Sequence, residues 1–211
     1  MFPLRTLALA MVLAAAPVTA IVLTPFPAQA QRARDASAEA FVQTQAQRAI
    51  AILANRGLPR AEKAAQFRAF VDQVVDVPRV TTFVLGKYAR IASPAQRAQF
   101  AQVFRSYASS VYERRLGDYG GERVQVTGSA VRRPGDVVVT TLISGGDLSR
   151  PETVRWRLIR SGPSWRVVAV EVRGVYLAVT QQADFTSTLD NAGGDINVLI
   201  NQLRRQTAAR R

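Results

Sequence analysis

The chain has 211 residues, room for one domain and a short leader, and its 28 Lys+Arg against 15 Asp+Glu give a formal charge of +13, which favours anionic partners. It contains no cysteine and no histidine, which excludes disulfide frameworks and thiolate metal centres and removes the commonest general base and metal ligand at neutral pH. Hydrophobic residues make up 48%, enough for a sizeable core.

The N-terminus reads as an export signal. Arg5 supplies the positive end, residues 7–23 are mostly apolar, Pro25-Phe26-Pro27 breaks the run, and Ala28-Gln29-Ala30 is a small-residue cleavage site. The apolar run is near the lower limit for a membrane span and is interrupted by Pro17, so cleavage after Ala30 is expected rather than anchoring. The mature chain, 31–211, then loses only Arg5 among its charges and keeps a formal +12 of the +13. An exported basic protein meets membrane surfaces rather than nucleic acid.

Phe41, Val42, Ala46, Ala49, Ile50 and Leu53 recur at helical spacing over 35–55, and Asn55-Arg56-Gly57 closes that segment. Pro59 suits the first turn of a second helix carrying Phe67, Phe70, Val71 and Val74. A short third helix over about 78–85 ends at Gly86, suited to a left-handed cap. Ser93-Pro94-Ala95-Gln96 is the strongest start signal: Ser93 caps, Pro94 takes the first helical position, and Gln96 completes a capping box. The apolar face of that helix runs Phe100, Val103, Phe104, Tyr107 and Val111, widened by Tyr112. It is expected to stop near Gly117, with Gly120-Gly121 marking a change of period.

From Glu122 the pattern becomes β. Val124 and Val126 alternate, 137–143 is β-branched, and 153–160 sets Val154, Trp156 and Leu158 against Thr153, Arg155 and Arg157. Residues 165–175 form a last strand, with Val168, Val170 and Val172 opposed to Glu171 and Arg173. Pro134-Gly135, Gly145-Gly146 and Ser161-Gly162-Pro163 are short turns, so the four strands form an antiparallel meander whose apolar face needs covering by helices. Helix returns over 180–191 with Phe185 and Leu189. Gly193-Gly194 interrupts it, and Asp195 caps a final helix with Ile196, Leu199, Ile200 and Leu203, ending in Arg204, Arg205, Arg210 and Arg211. The expected fold is α+β: one domain with a four-stranded antiparallel sheet wrapped by N- and C-terminal helices, without internal repeats.

Specific strings go further. Val84-Leu85-Gly86-Lys87-Tyr88, then Ser93-Pro94-Ala95-Gln96-Arg97 with Phe100 and Phe104, Tyr119-Gly120-Gly121-Glu122, Trp165-Arg166-Val167 and Gly174-Val175, and finally Phe185, a Gly pair and a Leu-Ile pair occur in an order that resembles the MlaC/Ttg2D family of periplasmic lipid-binding, toluene-tolerance proteins. The resemblance spans about 66–203. It implies a sheet wrapped by helices around an apolar lipid cavity, in a periplasmic carrier of an ABC lipid-transport system. Such a carrier passes phospholipid between an outer-membrane lipoprotein/porin complex and an inner-membrane permease, and so serves outer-membrane lipid asymmetry. The run Leu177-Ala178-Val179-Thr180-Gln181 is similar to the hopanoid-associated (HpnM) branch, for which a hopanoid would be the ligand. Two positions depart from the family pattern: Tyr176 stands where Ser is usual and Gln182 where many members have Arg.

On this reading the chain is not an enzyme and needs no cofactor or metal. The candidate lipid-lining residues are Phe83, Leu85, Tyr88, Phe104, Tyr107, Val111, Val139, Trp156, Leu158, Val170, Val172 and Leu177. Taken singly, each reads more readily as ordinary core, because apolar periodic positions are usually packed; the group gains its lipid-lining reading from the resemblance. Tyr88, Tyr107, Tyr112 and Tyr176 are candidates to orient a headgroup, and Arg114-Arg115, Arg132-Arg133 and Arg155/Arg157 to meet a phosphate or an acidic partner. A transient membrane-surface contact is expected, and no nucleic-acid partner, since the chain lacks basic runs interleaved with aromatics. The rival from another class is a small cavity-bearing enzyme, which a clustered acid–base pair would mark. Glu62, Asp72 and Asp76 read instead as helix-surface carboxylates.

Overall fold

A computed structural model describes residues 33–113 and 119–209. The leader, Arg114-Arg115, Gly117, Arg210-Arg211 and the side chain of Tyr112 lie outside the described residues. All the elements below fall within one compact unit, Arg32–Arg211.

The helices start where the capping chemistry puts them. Asp35 accepts from the Ala38 N–H at 2.9 Å and opens α1, Ala36–Ala54. Helix α2, Arg60–Val74, follows Pro59, and Asp76 caps α3, Val77–Val84, by accepting from the Arg79 N–H at 3.1 Å. A 3-10 turn, Gly86–Ala89, leads to α4, Pro94–Glu113. There the capping box is reciprocal: the Gln96 N–H donates to Ser93 Oγ at 3.1 Å, and the Ser93 N–H donates to Gln96 Oε1 at 2.9 Å.

The strands are β1, Arg123–Arg133, β2, Asp136–Ser144, β3, Glu152–Ser161, β4, Ser164–Val172, and β5, Val175–Tyr176, paired antiparallel in sequence order. The sheet thus has five strands rather than four. The expected last strand, 165–175, is cut at Arg173-Gly174, whose φ angles of 52° and 81° form a two-residue reversal that sets Val175 opposite Val172 and Tyr176 opposite Glu171. Positive φ at both loop positions is what a tight hairpin with the sheet's twist requires, and Arg173 is the one described non-glycine residue that adopts it. Helix α5, Leu177–Asn191, begins directly after β5, three residues before the expected start at 180.

Helix α5 closes through Gly194, whose N–H donates to the Leu189 carbonyl at 2.8 Å. A Cβ at Gly194 would sit 3.2 Å from the Tyr88 ring with φ at +86°, so both backbone and space favour glycine there. Asp195 then caps α6, Ile196–Ala208, accepting from the Asn197 N–H at 2.9 Å.

Two apolar cores result. Helices α1 and α2 cover one face of the sheet, burying Ala38, Val42, Phe70 and Val74 against Val137, Val139, Leu158, Trp165 and Val167. The end of α2 is tied to β4 where the Asp76 N–H donates to the Val167 carbonyl at 2.9 Å, and Arg166 reaches back to the Gln73 carbonyl. The second core is all helical: Val84, Leu85 and Tyr88 meet Phe100 and Val103 of α4, Phe185 and Leu189 of α5, and Leu199, Ile200 and Leu203 of α6.

Candidate functional site

The twelve residues singled out in the sequence divide among four environments. Leu85, Tyr88, Phe104 and Tyr107 belong to the helical core or pack on it. Val139, Trp156, Leu158 and Val170 belong to the sheet core or pack on it. Val111 and Val172 are half-buried, and Phe83 and Leu177 stand in solvent.

Burial sorts them further. Leu85, Val139 and Leu158 are 0–1% exposed, and a side chain with no accessible surface borders no void that admits even water. In this conformation those three are packing residues. Phe104, Tyr107 and Val111 on α4, and Trp156, Val170 and Val172 on β3 and β4, are half-buried.

Local chemistry holds these surfaces in place. Phe104 meets the Phe185 ring edge-on at 5.9 Å, and Tyr107 lies 6.4 Å from it. The Trp156 indole N–H donates to Thr141 Oγ1 at 2.9 Å, so its polar atom is satisfied within the sheet and the rest of the ring is free for apolar contact. Val170 lies opposite Trp156 in the ladder and Val172 opposite Val154. These positions face the same side of the sheet as Val139 and Leu158, because side chains alternate along a strand.

Two cavities lie elsewhere. One of about 340 Å³ is lined by Ser37, Phe41, Gln45, Arg160, Pro163 and Trp165, beside the β3–β4 turn. The other, about 290 Å³, lies between α4 and α6 and is lined by Gln102, Val103, Ser106, Arg204, Thr207 and Ala208. Neither takes in any of the twelve candidates. Sequence periodicity carries no signal for them, since they arise where helix ends and turns fail to fill space.

The polar candidates are placed as follows. The Tyr88 hydroxyl donates to Asp190 Oδ1 at 2.6 Å and Lys87 Nζ lies 2.6 Å from the same oxygen, an arrangement that pins the 3-10 turn to α5. Lys87 and the Tyr88 hydroxyl together hold the Asp190 carboxyl below the ordinary range. Arg155 pairs with Glu171 at 2.7 Å, and Arg157 donates through two nitrogens to Asp136 at 3.0 and 2.8 Å. Both arginines lie on the sheet face opposite Trp156 and Leu158, away from α1 and α2. Asp72 pairs with Arg105 at 3.1 Å and Asp76 serves as the cap of α3, so these carboxylates have structural partners.

Asp136 is 2% exposed, and its hydrogen bonds from Arg157, against the opposing effect of burial, hold its carboxyl below the usual range. A carboxyl whose folded pKa is depressed contributes stability that is fully present above its unfolded value of about 3.9 and is lost as pH falls through the folded value. Thermal melts should therefore drop as pH falls below about 4. Asp136→Asn should be less stable at neutral pH by about 2 kcal/mol, a buried-pair loss discounted for the partial exposure of Arg157, and should show a shallower acid decline. Parallel melting curves for the two proteins would mean that the pair contributes nothing net.

Comparison with known proteins places this geometry in context. A family model described as MlaC protein matches residues 43–205. Among solved structures, the phospholipid-binding protein from Ralstonia solanacearum, determined in complex with a phospholipid, shares the fold. Its TM-score is 0.72 at 24% identity, with 83% of this chain and 99% of that chain covered.

Proposed function

Since the chain belongs to the MlaC family, whose model spans residues 43–205, we propose that it is a periplasmic carrier that binds a phospholipid and passes it between membranes. On this reading residues 1–30 are the cleaved export signal and 31–211 the single lipid-binding domain. Its docking partners are an outer-membrane lipoprotein/porin complex and an inner-membrane ABC permease. The observation that carries the reading is the family match joined to a fold shared with a phospholipid-complexed protein over nearly all of that protein's length.

The acyl chains lie between the two apolar cores, against Phe104, Tyr107 and Val111 on one side and Trp156, Val170 and Val172 on the other. These are the candidate residues that are neither sealed in a core nor exposed. The tails enter as the helical core and the sheet core part, which brings the edges of both cores into contact with lipid.

A diacyl lipid has on the order of 30 methylenes, each worth about 0.8 kcal/mol on leaving water, so gross transfer exceeds ~20 kcal/mol. The bilayer offers nearly the same. Exchange between membrane and carrier is then close to neutral, and docking partners set its direction. Such a task requires apolar surface and no general base or nucleophile, which accords with a chain free of histidine and cysteine. The family and the fold support a binding protein rather than an enzyme.

Native mass spectrometry of 31–211 purified from a periplasm, with lipid extraction from the same sample, tests the reading. A one-to-one adduct that resolves into phospholipid is expected; a hopanoid adduct would reassign the ligand. Val170→Trp and Val111→Trp, which fill the space from opposite sides, should each cut the adduct at least tenfold while leaving the thermal melt in place. A clean apo mass with no uptake from offered lipid overturns the carrier reading. Undiminished adduct in both folded variants overturns the site.

A further inference from the structure

Seven large apolar side chains are exposed among the described residues, and five of them gather in one place. Val175, Tyr176, Leu177 and Val179, 41–51% exposed, run from β5 into the first turn of α5. Phe83, 43% exposed, joins them from the end of α3: its carbonyl accepts from Gln182 Nε2 at 2.6 Å, and Gln182 is one helical turn beyond Val179. Isolated exposed apolar residues need no explanation, but four within five consecutive positions, with Phe83 tied to the next turn of the same helix, do. These five stand on a tight reversal and a helix start, and none lines either of the two cavities.

A field of arginines borders the group. The sheet ladder sets Arg155 opposite Glu171 and Glu171 opposite Tyr176, so the three form one cross-strand row. Arg157 stands two residues along the same face of β3 with Asp136 as its partner, and Arg133 lies 3.4 Å from that carboxylate. The Glu171 carboxylate raises the pKa of the Tyr176 phenol, with Arg132 and Arg155 near enough to oppose it, and Arg173 occupies the reversal itself, paired with Glu152. Arg132, Arg133, Arg155 and Arg157 thus stand near Asp136 and Glu171, which leaves two positive charges in excess beside the apolar group, while Arg173 is matched by Glu152.

We propose that the β4–β5 reversal and the first turn of α5, with Phe83 and the arginines of the open sheet face, dock this protein onto the surface of an anionic phospholipid bilayer. Aromatic and aliphatic side chains flanked by arginine suit the headgroup layer, where the apolar tips reach the acyl boundary and the guanidinium groups meet phosphate. Folded protein partners require a shape-complementary surface with buried anchors, whereas a fluid bilayer accommodates a projecting turn of any contour. The inference deepens the carrier reading, because it specifies how a lipid carrier would approach its source, but the docking has its own readout.

Co-sedimentation of the mature chain with vesicles tests it. The protein should pellet with phosphatidylcholine vesicles containing about one-third phosphatidylglycerol, scarcely with pure phosphatidylcholine, and several-fold less in high salt. Val179→Asp and the double variant Val175→Asp/Val179→Asp, both at exposed positions, should weaken vesicle binding about tenfold or more. Arg132→Glu should weaken it less, and its loss should vanish in high salt. All three should keep the wild-type melt and the wild-type lipid adduct by native mass spectrometry. Equal pelleting of wild type and the double variant overturns the proposal, as does equal binding to neutral and anionic vesicles, or binding to an acidic protein with none to vesicles. Vesicle binding by a wild type that never carries lipid would leave this surface standing and remove the carrier reading instead.

Discussion

Val139→Asp is expected to yield no stably folded protein. Val139 has no accessible surface and sits in the middle of the sheet, between Ser129 of β1 and Trp156 of β3, with α1 and α2 packed over that face. The substitution removes about 1.5–3 kcal/mol of valine burial and places a carboxyl among apolar groups, where even its protonated form lacks partners at a further cost of a few kcal/mol. The arginines of the neighbouring strand cannot rescue it, because Arg155 and Arg157 project from the other face. A combined loss of at least about 4 kcal/mol is a large share of the ~5–15 kcal/mol that a domain has in total. Urea titration followed by circular dichroism should show the midpoint near zero denaturant. A variant that folds normally and merely lacks lipid would mean that Val139 borders a real pocket.

Phe185→Ala should be nearly as severe and for a different reason. Phe185 is 3% exposed and joins three rings of α4, lying edge-on to Phe100 at 5.8 Å and Phe104 at 5.9 Å, with Tyr107 at 6.4 Å. Truncation leaves a void that the close-set helices α4, α5 and α6 cannot easily collapse into, costing about 3–5 kcal/mol. The lost edge-to-face contacts are part of that figure. For a domain of this size each kcal/mol shifts the melting temperature by roughly 2–4 °C, so a drop on the order of 10 °C is expected by calorimetry. A shift within a degree or two would mean that the four rings do not form a cooperative core. Because Tyr107 and Phe104 rest on Phe185, the same variant should also bind lipid more weakly at temperatures where it remains folded.

The contrast between these two residues bears on how a site is read from a sequence. Val139, Leu158 and Leu85 were candidates because they are apolar and periodic, and that same property drives a residue into packed core. Periodicity identifies the inward face of an element but not whether the inward space is filled. Phe83 and Leu177 are exposed instead: both lie at element ends, where the 3.6-residue pattern runs out and the side chain's direction depends on how the next element turns away. Arg155 and Arg157 were legible as outward-facing, from strict alternation with Val154, Trp156 and Leu158. Their carboxylate partners, Asp136 and Glu171, come from adjacent strands whose register a single sequence does not display.

What the sequence determined by itself was whatever depends on neighbours within about four residues. The helix starts at Asp35, Ser93 and Asp195, the alternation of β3, and the turns that force a meander all follow from short-range hydrogen bonding and backbone sterics. The strings from Val84 to Leu203 likewise carried the family. The fate of the apolar faces rests on long-range packing. Which ones seal against each other in two separate cores, which remain half-covered on α4 and the far end of the sheet, and which gather in solvent beside β5 all depend on pairings between distant segments. One of them, the Arg173-Gly174 reversal, turns an expected strand end into a fifth strand and throws Val175, Tyr176 and Leu177 outward. The physical reason is that burial depends on the summed area of partners brought from afar, and such area has no local signature.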